Sequence, residues 1–309
     1  MCMLDEAEVR IAVIMLTFNQ RKRTIECLSA LLSSDELQFK VLVWDNGSQD
    51  GTVQAIEETF PEVVAQHHPE NLGVAPGRNA AAAFAMNTLR PTHMLFLDND
   101  MLVAPGFVSA LFGPFAEGDG VGQTQAKLLF MDDRERLNDG GGCDINFVLG
   151  QTRPIGFGEI DQGQYDTVKE CVACGGAMMV RTDLFRELGG FDSGFGKLGP
   201  DDLDFSLRLS KAGYKALYVP QAVAYHKVSH TYGGGFDENY ARLKAQNWFI
   251  FLRRHATLPQ IAGFFLIGMP FIALRAIIRE GRRGNLGAVR GLARGMLDYV
   301  RSLPRRESI

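Results

Sequence analysis

The sequence predicts an α/β protein: a Rossmann-like, mostly parallel sheet with helices on both faces, followed by a helical C-terminal extension. Three observations predict it. Strand-like apolar runs alternate with helix-like apolar spacing through the first 130 residues. Polar clusters stand at the ends of three of those runs, at residues 17–19, 45–48 and 98–100. From Arg253 onward the chain becomes apolar stretches separated by arginines. The bulk composition agrees, with 309 residues, 46% hydrophobic and 22% charged, which excludes collagenous, disordered and disulfide-stapled chains.

Residues 10–16 form a short apolar run of buried-strand type. Residues 21–32 follow with helical spacing at Ile25, Leu28, Leu31 and Leu32. A second strand at 40–44 ends on the turn Asp45-Asn46-Gly47-Ser48, a helix is expected over 51–60, and a third strand over 63–66. An Ala-rich helix at 76–89 leads to a strand at 93–97, which stops at Asp98-Asn99-Asp100. Pro105 suits the start of a helix over 105–115. Residues 120–170, with Gly140-Gly141-Gly142 and many turn residues, read as irregular hairpins or loops. Regular structure resumes with a strand at 177–180, a helix at 182–188 with Thr182 as N-cap, a helix at 202–212, and strands at 214–219 and 222–226. Gly233-Gly234-Gly235 marks a loop with little intrinsic stiffness, of the kind that can close over a bound donor. In such a sheet, ligands bind at the carboxyl ends of the strands near the switch point.

Charge is uneven. The 32 Lys+Arg and 36 Asp+Glu leave a formal −4, but residues from Arg253 onward hold 11 Arg and three acids, net +8, leaving −12 for residues 1–252. A basic tail on an acidic body points to an anionic membrane surface or nucleic acid, or else to an ordinary solvated helical face. Residues 261–274 carry no charge and are broken by Pro270, which suits an interfacial or buried helix pair better than a span. Over 286–300, Leu286, Val289, Leu292, Ala293, Met296, Leu297 and Val300 share one apolar sector edged by Arg290, Arg294 and Arg301, a basic amphipathic helix. No signal peptide is expected, because residues 1–8 are polar and acidic. Five scattered cysteines (Cys2, Cys27, Cys143, Cys171, Cys174) fit a reducing compartment, and Cys171-Val-Ala-Cys174 lacks the partners of a zinc site, so it reads as strand and loop.

The chemistry lies in the acids. Asp98 and Asp100, at i and i+2 on a tightening loop, can flank one hard cation and the phosphate it carries, or simply cap a turn. Asp201-Asp202-Leu203-Asp204 opens a helix, where one acid serves as a cap. Three acids in four positions exceed that need and leave a carboxylate for general-base work. His226 ends a strand, with His230 four residues on. A neutral imidazole there is either a packed histidine or the completion of a metal site begun by Asp100.

Leu16-Thr17-Phe18-Asn19, Trp44-Asp45-Asn46-Gly47-Ser48, Asn71-Leu72-Gly73-Val74-Ala75-Pro76-Gly77-Arg78-Asn79, Phe96-Leu97-Asp98-Asn99-Asp100, Gly175-Gly176-Ala177, Asp201-Asp202-Leu203-Asp204 and His226 occur in that order. This set resembles the family 2 inverting glycosyltransferases with the GT-A fold, especially their rhamnosyltransferase-like bacterial branch, over roughly residues 10–250. The resemblance implies that Thr17, Phe18, Asn19 and Asp45 surround a nucleotide's base and ribose, and that Asn71, Gly73 and Asn79 shape the pocket beside it. Asp98 and Asn99 would lie near the ribose and diphosphate. Asp100, with Asp98 and His226, would hold Mg²⁺ or Mn²⁺. Asp202, with Asp201 beside it, would act as the base, although the family usually has Glu-Asp where this chain has Asp201-Asp202. The expected division is 1–130 for the nucleotide, 131–252 for acceptor and catalysis, and 253–309 as a membrane-associating tail. The implied enzyme is cytoplasmic and peripheral on the inner face of the cell membrane. Its donor is a nucleotide-diphosphate sugar, its acceptor a glycan or lipid-linked hydroxyl in bacterial surface-polysaccharide assembly, and nucleic acid is not a partner. A catalytically silent nucleotide-sugar binder is the rival from another class. Nucleotidyl transfer would want a basic phosphate loop after the first strand, of which Arg21-Lys22-Arg23 is a faint version, and no G-x-G-x-x-G supports a dehydrogenase.

Overall fold

A computed structural model describes residues 10–35, 37–118, 120–227, 237–282 and 284–302. Residues 1–8, Cys2, His230 and Gly233-Gly234-Gly235, all singled out in the sequence, lie outside the described residues.

β1 (Ile11–Thr17), α1 (Arg21–Leu32), β2 (Phe39–Asp45), α2 (Thr52–Thr59), β3 (Val64–His67), α3 (Val74–Thr88) and β4 (His93–Leu97) alternate as expected. β2 and β4 flank β1, and β3 follows β2, all in parallel. These strands are apolar on both faces because both faces are covered. Val13, Met15, Val43 and Leu95 pack beneath α1 residues Leu28 and Leu31. The alternate residues Ile14, Leu42 and Phe96 meet Ala81 and Ala82 of α3. Each such fully buried large side chain contributes about 1.5–3 kcal/mol.

After the short β5 (Met101–Val103) and α4 (Phe107–Phe112), the chain enters β6 (Val121–Phe130), which runs through the middle of the sheet. The expectation of irregular structure beginning at residue 120 is therefore corrected. The β6 signal is hidden because Gln123, Thr124, Gln125 and Lys127 are all buried in it. Burial of such groups is tolerated when they are paired: Thr124 Oγ1 donates to Leu111 O, Gln125 Nε2 to Asp139 Oδ2, and Lys127 Nζ to Asp161 Oδ2 and Asp166. β7 (Leu137–Asp139), the hairpin β8 (Cys143–Asn146) and β9 (Gln151–Pro154), and β10 (Lys169–Glu170) follow.

β11 (Ala177–Arg181) inserts antiparallel between β4 and β6, then leads to α5 (Thr182–Glu187) and α6 (Asp201–Lys211). Thr182 is not the N-cap: Arg181 holds that position, and the Thr182 hydroxyl is buried without a partner. The two expected strands at 214–219 and 222–226 are one, β12 (Lys215–His226), irregular between Val219 and Val223. The sheet order is β10-β12-β6-β11-β4-β1-β2-β3, with β5 on β12 and β7 on β6.

The C-terminal part is α7 (Glu238–His255), α8 (Leu258–Gly263), a single π-helical turn Phe264–Gly268, α9 (Met269–Arg282) and α10 (Leu286–Ser302). The expected seam at 252/253 falls inside the last turn of α7. Pro270 does not divide the apolar segment. A π-turn accommodates the backbone disruption that proline introduces, and the helix runs on unbroken as Leu258–Glu280. That stretch is long and apolar enough to cross a membrane by length and composition, and only 17% of its most apolar window is buried. The amphipathic face of α10 is divided. Val289, Leu292, Ala293 and Met296 line a groove against the body, while Leu286, Leu297 and Val300 are exposed. Gly291 and Gly295 let α10 lie directly on the backbone of Glu238 and Arg242 in α7, where a Cβ would collide.

Candidate active site

Register builds the site. The antiparallel pairing of β4 with β11 sets Leu97 opposite Ala177, so the next residue, Asp98, donates its backbone N–H to Gly176 O at 2.7 Å. Gly176 has no side chain for a reason: a Cβ there would overlap the Asp98 carboxylate. Pairing of β12 with β5 sets His226 opposite Met101 and brings His226 beside Asp100, with Lys227 N bonded to Asp100 O at 3.0 Å.

Arg78, on α3, is the buried cation of the site. Its Nη2 donates to Asp98 Oδ1 at 2.7 Å, and its Nη1 lies 3.5 Å from Asp201 Oδ2. Burial opposes its charge, but Asp98, Asp201 and Asp202 outweigh burial and raise its pKa. Arg78 thus ties the end of β4 to the start of α6. No role had been assigned to it from sequence. The available signal was a single arginine in an otherwise Ala-rich, inward-facing helix.

Asp201 and Asp202 occupy the first turn of α6, as expected from the dipole. Asp202 Oδ2 accepts from Gly175 N at 2.6 Å and Oδ1 from Leu203 N at 2.8 Å. Asp201 Oδ2 is buried and accepts no hydrogen bond. Burial raises the pKa of both carboxyls; at Asp201 Arg78 opposes it and the charges of Asp202 and Asp98 reinforce it, while at Asp202 the bond from Gly175 N and then Arg78 oppose it and Asp98 reinforces it.

Asp202 and His226 border one cavity of about 210 Å³, together with Asn138, Asp139, Cys174 and Gly175. His226 Nδ1 lies 3.0 Å from Asn138 Oδ1, an acceptor that selects the Nδ1–H tautomer and leaves the Nε2 lone pair 3.5 Å from Asp100 Oδ1. That pair of donors fits a divalent cation whose remaining positions are taken by phosphate oxygens or water. Asp98 is engaged by Arg78, and among the described residues no three acidic, histidine or cysteine side chains converge into a metal cluster. Asp139 is buried, and burial pushes its carboxyl up to about 6 against the bonds it accepts from Cys174 Sγ, Gly141 N, Gly142 N and Gln125 Nε2.

On the far side of β1 the remaining expected residues form a bonded rim. Asn99 Nδ2 donates to Thr17 Oγ1 and Thr24 Oγ1, so Asn99 braces the loop from within. Asp45 Oδ2 meets His67 Nδ1 at 2.6 Å, and Asp45 Oδ1 accepts from Ser48 N. Asn46 Nδ2 donates to Asn71 Oδ1 and Gly73 O. Asn19, at φ 51°, exchanges bonds with Ser48 and Gln49. Phe18 is exposed beside them. Asn79 is spent on the loop before α6, bonding both N–H and O of Phe191. The Cys171–Cys174 stretch is loop, with Cys174 buried against Asp139.

A Rossmann-like half joined through an inserted antiparallel strand to a half that opens a helix with paired acids defines a glycosyltransferase of the GT-A type. The sequence profile described as glycosyl transferase family 2 matches residues 12–189, and one described as the N-terminal domain of galactosyltransferase matches 164–233. The chain belongs to glycosyl transferase family 2. It is 26% identical to the N-acetylglucosaminyl-diphospho-decaprenol L-rhamnosyltransferase of Mycobacterium tuberculosis, over 90% of this chain and 97% of that one. It is 25% identical to rhamnosyltransferase WbbL of Escherichia coli, over 74% and 87%. The fold is similar to that of GalNAc-T7 solved with UDP, GalNAc and Mn2+ (TM-score 0.64, 14% identical, 79% of this chain and 48% of that one). It is also similar to the mannosyltransferase PcManGT from Pyrobaculum calidifontis in complex with GDP-Man and Mn2+ (TM-score 0.55, 19% identical, 95% and 75%). This chain thus spans about half the length of the GalNAc-T7 structure.

Proposed function

We propose that the protein transfers a sugar, with inversion, from a nucleotide-diphosphate sugar to a hydroxyl of a lipid-linked or other glycan acceptor, using Mg²⁺ or Mn²⁺. The work would belong to bacterial surface-polysaccharide assembly at the inner face of the membrane. The observation that carries this reading is the shared cavity, with Asp202 on one wall and His226, paired to Asp100, on another.

Asp202 takes the proton from the acceptor hydroxyl as its oxygen bonds to the anomeric carbon. The bond from that carbon to the diphosphate oxygen breaks on the opposite face, its electron pair leaving with the nucleotide diphosphate. One in-line displacement inverts the centre. Asp100 and His226 would hold the divalent cation, which would supply positive charge against the leaving diphosphate. Arg78 holds Asp98 and Asp201 in place, and the two backbone bonds to Asp202 aim its carboxylate. Thr17, Phe18, Asn19 and Asp45 offer the nucleoside an aromatic face and polar edges. Asn71, Gly73 and Asn99 keep that rim in shape through their own bonds, while Asn79 holds the loop before α6. Support for the donor and metal comes from the GT-A neighbours solved with UDP or GDP-Man and Mn2+. Support for a lipid-linked acceptor comes from the name of the mycobacterial relative.

Asp202→Asn tests the reading. Transfer is expected to fall about 10²–10⁴-fold, while metal-dependent thermal stabilisation by a nucleotide diphosphate persists. Wild-type turnover by this variant would overturn the base assignment.

A further inference from the structure

A groove of about 870 Å³ is distinct from the cavity of Asp202 and His226. It lies between the β8–β9 hairpin, α7 and the helices of residues 258–302. Its walls are apolar, with Trp248, Phe249, Phe264, Ile272, Leu292 and Met296 among them. Four cations also line it, Arg153, Lys244, Arg275 and Arg279, and among the described residues no acid does. Arg279 pairs with neighbouring Glu280 at 2.5 Å. Lys244, open to the groove, stands over the Tyr240 ring at 5.8 Å. Desolvation and then the charge of Arg279 hold its pKa below the ordinary lysine value, so its site favours an anion that restores the balance.

Two further facts say what fills this groove. Thr152 and Leu203 border both the groove and the cavity of Asp202 and His226, so the two spaces meet next to the proposed base. At the other end the helix Leu258–Glu280 turns Leu266, Ile267 and Leu274 outward, exposed by 78%, 57% and 58%. Apolar walls, cations without acids, an end on the catalytic cavity and an outer face suited to lipid together describe an amphiphile with one or two phosphates.

We propose that this groove is the subsite for the lipid-diphosphate part of the acceptor. The apolar chain would lie along α9 and α10, the phosphates at Lys244 and its neighbouring arginines, and the acceptor sugar beyond Thr152 and Leu203. The assignment rests on the glycosyl-transfer reading above for what the lipid carries. The α10 face expected to lie on the bilayer thereby acquires a second task, since half of it walls the groove.

Binding of fluorescently labelled farnesyl diphosphate to the full-length protein in detergent micelles tests the proposal without turnover. Lys244→Gln is expected to weaken binding about tenfold, the worth of one charge-assisted contact. Ala273→Trp, at an exposed position on the groove wall, is expected to block the chain to a similar degree. Farnesol, which lacks the phosphates, and inorganic diphosphate, which lacks the chain, should each compete far less well than unlabelled farnesyl diphosphate. Undiminished binding by both variants would overturn the subsite. So would competition by phosphatidylglycerol vesicles as effective as that of the lipid diphosphate, since the face would then be a general anionic-lipid surface. Sugar transfer without Lys244-dependent binding would reject the subsite and keep the transferase. Lys244-dependent binding by a protein that transfers nothing would do the reverse.

Discussion

The first turn of α6 holds three carboxylates, and its two sides are treated in opposite ways. On the side facing α7, Asp204 is met by Arg208 Nε at 2.8 Å, Arg254 Nη1 at 2.7 Å and His255 Nε2 at 2.8 Å. Burial alone would raise its pKa, but these three donors outweigh burial and bring it down to about 2. On the side facing the cavity, Asp201 and Asp202 share one guanidinium with Asp98 and are left with raised pKa values. Full neutralisation makes a fixed joint between α6 and α7. Incomplete neutralisation leaves a carboxylate able to take up a proton. Three acids so close in sequence serve two ends because the helix turns them about 100° apart per residue.

The sharpest way to break this contrast is a pair of substitutions. Asp202→Asn should cost transfer and leave the melting temperature near wild type. Asp204→Asn should do the opposite, destabilising by about 1.5–3 kcal/mol because Arg208, Arg254 and His255 lose the buried carboxylate they share, which thermal denaturation will show. If Asp204→Asn melts like wild type but loses transfer, the two sides do not divide the work as described. A smaller effect is expected at the strand end. Gly176→Ala must push the Asp98 carboxylate off Arg78, and a rise of about tenfold in donor KM is expected from losing one such contact.

The gentlest test is pH. As the proposed base, Asp202 would have to be ionised, and its pKa is raised, so kcat/KM should fall with decreasing pH already above the ordinary aspartate value of about 3.9. Asp204 has a depressed folded pKa, so its contribution to stability is full above about 3.9 and is lost only as pH falls through about 2. Acid should therefore silence transfer while circular dichroism still reports a folded chain. Unfolding that precedes inactivation would erase the distinction.

Much of the N-terminal half was legible because β1, β2 and β4 are continuous apolar runs and the polar clusters sit immediately beyond them. β6 was not, since its Gln123, Thr124, Gln125 and Lys127 look like loop residues until Asp139, Asp161 and Asp166 are seen beside them. Arg254 and Arg294 read as membrane-facing charges, yet they pair with Asp192 and Asp204 and with Glu238 respectively. Charge counted along a chain does not tell which partner lies across the fold. Pro270 misled for a related reason. A local rule predicts a break, and one π-turn absorbs it.

The sequence by itself determined the α/β class, the alternation of the first four strands with their helices, and the polar residues at the ends of β1, β2 and β4. These follow from periodicity and backbone preference, which act over a few residues. Only the tertiary structure decided that Asp98 and Asp201 share Arg78, that Asn138 orients His226 toward Asp100, and that an apolar groove with cationic walls opens beside Asp202. Those are juxtapositions between residues from 20 to 126 positions apart, set by sheet register and helix docking, and a short stretch of sequence does not encode register with a distant partner.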